Sequence, residues 1–142
     1  MRHNKFFSAA IALCAIAFFT MGSAPSASAS TPIPVTITAV FNFSTFPNVA
    51  GTFTTSGALT ISGTAFMHVD FLNAGTTAHC VVTLTASNGT IIIDQQCQFA
   101  TSPPKGRWEI VSGTGPYANL NGNGSLLMPP DTEAMTGFIY LH

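Results

Sequence analysis

The chain has 142 residues, of which 46% are hydrophobic and only 6% charged. That length suits a single domain. Four lysines and arginines against five acidic residues cannot neutralise a run of phosphates. Nucleic acid is therefore excluded as a partner, as is electrostatic docking on anionic membranes.

The N-terminus reads as an export signal. Arg2, His3 and Lys5 form a basic start, and residues 6–19 are uncharged and mostly Ala, Ile, Leu and Phe. An apolar core of this length is too short to span a bilayer, which takes about 20 residues. It runs into a small-residue tract in which Ala27-Ser28-Ala29 offers the pattern a signal peptidase reads, so cleavage is expected between Ala29 and Ser30. Cys14 does not make a lipid-anchor box, because Leu13 stands before it where a small residue is needed and the apolar core continues past it. The expected division is a signal peptide over 1–29 and one domain over 30–142, secreted or periplasmic. Cleavage leaves 113 residues with a net charge of −3, too few charges to hydrate a surface without help from abundant Ser, Thr, Asn and Gln.

From Ser30 onward, glycine and proline punctuate the chain every few residues, and apolar residues recur with period two, which marks half-buried strands. Val35, Ile37, Ala39, Phe41 and Phe43 share one parity. Leu59, Ile61, Met67, Val69 and Phe71 share another, with threonines and serines between them. Ser56-Gly57 and Ser62-Gly63 divide this second stretch into two or three strands.

Asn88-Gly89 is the preferred pair for a two-residue type I′ hairpin turn. With that turn, Ser87 faces Thr90, Leu84 faces Ile93, Val82 faces Gln95 and Cys80 faces Cys97. The cysteines then fall at a non-hydrogen-bonded position with α-carbons about 4.5 Å apart, inside the disulfide range. An exported chain favours oxidation, so a Cys80–Cys97 disulfide is expected. Cys80, Val82, Leu84, Ile91, Ile93 and Cys97 share the apolar face of this hairpin.

Further strands are predicted over 107–112, 124–128 and 135–141, with Trp108 and Ile110 on a buried face. About eight strands at regular spacing predict an all-β fold, a sandwich or a small antiparallel barrel.

In the segment from Gly106 onward, Gly113-Thr114-Gly115, Tyr117 and Gly122-Asn123-Gly124 follow one another. This order of strand, Gly-Thr-Gly, aromatic residue and Gly-x-Gly resembles the glycine-rich signature of the allene oxide cyclase and dirigent barrel group. Gly51-Thr52-Phe53 followed by Ser56-Gly57 is similar to secreted bacterial members. The resemblance covers about 20 residues well and about 20 more loosely, and implies a calycin-like, eight-stranded antiparallel barrel with a central cavity. In the plant relatives that cavity steers a reactive, largely apolar intermediate. Only the glycines and Tyr117 carry over, and fold similarity alone does not license a function.

Little else bears chemistry. His68 and Asp70 stand at i and i+2 and so share a face. They are the candidate catalytic pair if that face lines a cavity, although the parity of Met67, Val69 and Phe71 makes it the solvated side. Trp108 is the candidate ligand-binding residue. His79 reads as a surface residue, and His142 ends the chain. Asp131 and Glu133 follow Pro129-Pro130 in a predicted solvated turn, short of the oxygen ligands that calcium takes. Lys105, Arg107 and Glu109 form a solvent-facing stripe. No metal site and no cofactor are expected.

Three functions follow as expectations. The leading one is a secreted module that binds a small hydrophobic molecule in its lumen. The alternatives are an isomerase or cyclase of the allene oxide cyclase type, which needs a polar cluster inside the lumen, and a structural or surface-interaction protein with a filled barrel.

Overall fold

A computed structural model describes residues 30–140 of the chain. The segment read as an export signal, Cys14 within it, and His142 lie outside the described residues. The fold is all-β: β1 (Ile33–Asn42), β2 (Asn48–Gly57), β3 (Ser62–Leu72), β4 (Thr77–Ala86), β5 (Gly89–Gln98), β6 (Lys105–Gly113), β7 (Asn121–Leu127) and β8 (Thr132–Tyr140). Each strand pairs antiparallel with the next, and β8 closes on β1. The result is a closed eight-stranded barrel with no free sheet edge.

Side-chain alternation builds the core. Val35, Ile37, Ala39 and Phe41 of β1 point inward, as do Val49 and Phe53 of β2 and Met67 and Val69 of β3. The glycines at 57 and 63 mark the end of β2 and the start of β3, so the long central stretch forms two strands. Thr55 closes the turn between them: its hydroxyl donates to the Leu59 carbonyl at 2.7 Å and accepts from the Ile61 N–H at 2.9 Å. A bulge between β5 and β6 pairs Ile92 with Ser112 and Ile93 with Ile110. Val111 is the extra residue and faces solvent at 52% exposure.

The β4–β5 hairpin corrects the expected register. Its tip is Ser87-Asn88, and the pairs are Ala86 with Gly89, Leu84 with Ile91, Val82 with Ile93, Cys80 with Gln95 and Ala78 with Cys97. The cysteines are diagonal neighbours, their sulfurs 3.6 Å apart, and both are free thiols, so the expected disulfide is absent. Tertiary contacts outrank the local preference of Asn-Gly here. The Asn88 side chain accepts a hydrogen bond from the Tyr117 hydroxyl at 2.7 Å. Gly89 lies so close to the Thr114 carbonyl that a β-carbon would strike it. Because the register moves by two residues, every side chain keeps its expected face.

The two ends of the barrel differ. At one end Tyr117 and Leu120, between β6 and β7, fold inward and are buried. The β1–β2, β3–β4, β5–β6 and β7–β8 connections meet at the other end. Backbone bonds join them, from Phe99 N–H to the Thr76 carbonyl, Met128 N–H to the Pro104 carbonyl and Phe41 N–H to the Asp131 carbonyl.

Candidate functional site

Most of the lumen is filled by complementary large and small residues, as in the interior of a small barrel. Trp108 illustrates the rule. Its register partner on β7 is Gly124, and Gly124 in turn pairs with Gly137 on β8. The indole covers both glycines; a β-carbon on Gly137 would sit 2.8 Å from Trp108 Cζ2. With no side chains in the way, the indole N–H donates to the Ser125 and Thr136 carbonyls at 3.1 and 3.3 Å. The expectation that Trp108 belongs to the core agrees with its 2% exposure.

Beside Trp108 stands the other partner in its row, Gln95 of β5. Gln95 points inward on the parity of Ile91, Ile93 and Cys97 and is 1% exposed. Its amide Nε2 donates to Glu133 Oε1 and lies 3.4 Å from the Met135 sulfur, while its Oε1 is buried with no hydrogen-bond partner. Glu133 is 2% exposed. This corrects the expectation of a solvated turn there. β8 begins at Thr132, and Glu133 shares the inward parity of Met135 and Ile139. Burial lifts the Glu133 pKa from 4.5 to about 7, with the Gln95 hydrogen bond pulling the other way. Cys97 lies nearby. The adjacent Cys80 thiol and burial push its pKa far up, which keeps the sulfur protonated.

This polar pair lies in the half of the lumen that faces the four-loop end, where Ala39, Ala78, Cys80, Cys97 and Gly106 keep the wall thin. Above it the rim is aromatic. Phe46 stacks on Phe71 with ring centroids 5.2 Å apart, and Phe71 meets Phe99 edge-on at 5.4 Å. Phe43, Phe46, Phe71 and Leu72 are each 44–51% exposed and form an apolar collar at this end, while Val40, Phe66, Val111, Leu127 and Phe138 are equally exposed along the strands. Phe41 is buried beneath it and packs edge-on against Phe43. Ala39, Cys80, Gln95 and Glu133 have almost no accessible surface, so the protein's own side chains pack this half shut.

The sequence-predicted catalytic pair lies elsewhere. His68 and Asp70 are on the outer wall with side chains 42% and 59% exposed, and the ring bridges Asn48 Oδ1 (2.6 Å) and Asp70 Oδ1 (3.2 Å). His79 is also outside, paired with Asp94. Lys105, Arg107 and Glu109 form the expected exposed stripe on β6. Arg107 and Glu109 border a shallow external groove of about 450 Å³. Among the described residues no cluster of His, Cys, Asp and Glu is arranged to hold a metal ion, and no helix is long and apolar enough to cross a membrane.

Sequence reasoning missed the pair that matters most. The signal was present: an amide and a carboxyl each sit on an apolar parity, Gln95 between Ile93 and Cys97, and Glu133 two residues before Met135. No protein-family model matches the chain, and neither a curated protein nor a solved structure matches it.

Proposed function

We propose that the chain is an exported binding module that takes a small hydrophobic molecule at the aromatic-collared end of its barrel. The observation that carries this reading is the Phe46–Phe71–Phe99 stack, half-exposed directly above a lumen whose polar pair is incompletely hydrogen-bonded. Exposed apolar patches of this kind mark binding sites, and a ligand pocket is typically apolar with a few placed polar groups. Entry requires Phe41 and its aromatic neighbours to swing outward. The export signal over 1–29 and the similarity to the allene oxide cyclase and dirigent group are compatible with an extracellular or periplasmic carrier. The glycine turns are all that the similarity contributes.

The neutral dye Nile red tests the reading. It should bind saturably at one site, with enhanced emission and a shift in Trp108 fluorescence. Phe71→Ser should weaken binding about tenfold, because a lost aromatic contact is worth about 1.5–3 kcal/mol. A dye that never saturates, or one indifferent to Phe71→Ser, would sink the proposal. The fully packed lumen favours a second reading, a filled barrel whose partners meet only its outer wall. The same titration separates the two, since a filled barrel leaves Trp108 emission unchanged.

A further inference from the structure

Gln95 Oε1 is a strong acceptor enclosed by protein with nothing donating to it. Native interiors rarely leave such a group unpaired, and the exceptions call for an explanation. Its neighbour Glu133, once ionised above about pH 7, adds a second set of acceptor oxygens, of which one contacts the Gln95 amide. The surroundings supply no cation. Lys105 and Arg107 project from the outer wall, and His68 and His79 are outside as well. Among the described residues the lumen therefore has acceptors to spare and no basic side chain.

Resting on the collared lumen as the ligand site, we propose that Gln95 and Glu133 form a head-group site. It selects a hydrogen-bond donor, a hydroxyl or an amino group, at the buried end of a hydrophobic ligand, and it rejects carboxylates. The selection is chemical. A donor satisfies Gln95 Oε1 and turns an unfavourable burial into a made bond. An ether of the same size satisfies nothing. A carboxylate brings a further acceptor, and a negative charge, beside a carboxyl group with no counter-ion. The head group must reach past the rim, since Phe99 lies four residues beyond Gln95 along β5, about 13 Å at strand spacing. An eight-carbon chain comes close to that length.

The experiment, run at about pH 8.5 where Glu133 is ionised, displaces Nile red from the full exported chain with 1-octanol, octylamine, heptyl methyl ether and octanoate. The alcohol and the ether are isomers, and only one of them can donate. Octanol and octylamine should displace the dye at concentrations at least tenfold lower than the ether or octanoate. Gln95→Met should abolish the gap between alcohol and ether. Octylamine outcompeting octanol, with octanol still ahead of the ether, would identify the preferred donor as an ammonium that serves Glu133 as its missing counter-ion. Equal potency of ether and alcohol on the wild-type chain, or octanoate binding best, would overturn the head-group assignment while leaving the collar site standing. Failure of Nile red itself to bind would remove the collar site first. Because the alcohol–ether comparison uses the wild-type chain, it stands even if the Gln95 variant does not fold.

Discussion

Glu133 is the residue whose environment departs furthest from its sequence context. A carboxyl three positions after a Pro-Pro pair belongs in water by every local rule, yet pairing with Ala39 of β1 turns it into the barrel. The sign of the consequence follows from its raised pKa. In the unfolded chain the group ionises near 4.5, whereas in the folded chain it holds its proton to about 7. The folded state thus binds the extra proton between those values. Stability from this group is greatest below about pH 4.5, falls as pH rises towards 7, and levels off beyond, a loss of about 3 kcal/mol over the window. The thermal midpoint measured by calorimetry should therefore drop between pH 5 and pH 8. Glu133→Gln keeps the shape and removes the titration, so it should flatten that profile and raise the midpoint at pH 8. An unchanged profile in the variant would mean that another group controls it.

At the scale of elements, the β4–β5 hairpin shows a local rule losing to a distant contact. Asn88-Gly89 prefers the centre of a type I′ turn. Here Gly89 instead opens β5, and Asn88 is held from across the barrel end by Tyr117. The Tyr117–Asn88 bond couples the β6–β7 connection to the hairpin. Tyr117→Phe and Asn88→Ala should each destabilise the fold by about 1 kcal/mol. The double variant should lose little more than either single one, a non-additivity that a denaturant-melt cycle measures. Strict additivity would show that the bond does not set the register. The same shift explains the thiols. Facing cysteines at one hairpin position become diagonal neighbours when the register moves by two, and Cys80 then faces Gln95.

Across the whole molecule, closure decides what each strand can carry. β7 is rich in glycine and weak by itself, but in the barrel Gly124 and Gly137 make the space that Trp108 fills. Gly137→Ala would drive a methyl group into the Asn123 carbonyl oxygen and against Gly124 Cα and Trp108 Cζ2, both 2.8 Å from the new β-carbon; the backbone contacts cannot yield without moving β7. A loss of about 2 kcal/mol or more is expected from such overpacking, together with a red shift of Trp108 emission. A neutral result would mean that β7 itself yields at this point. The outer wall is equally ordered. Thr52, Thr64, Thr85 and Thr90 stand in register across β2, β3, β4 and β5, while the outer-wall charges are Asp70 near the end of β3 and Asp94, Lys105, Arg107 and Glu109 on β5 and β6. Hydroxyl groups thus hydrate the region that charges leave bare.

Alternation of apolar and hydroxyl residues determined the strands, their faces and the buried place of Trp108, because the strand period of two is a local property of the backbone. The closed eight-stranded antiparallel barrel agrees with the expected fold class, but the two-residue register at Ser87-Asn88 and the meeting of Gln95 with Glu133 came only from the tertiary structure. Sliding a strand by two leaves its pattern unchanged, so parity cannot fix register. Residues 38 positions apart become neighbours only when the barrel closes.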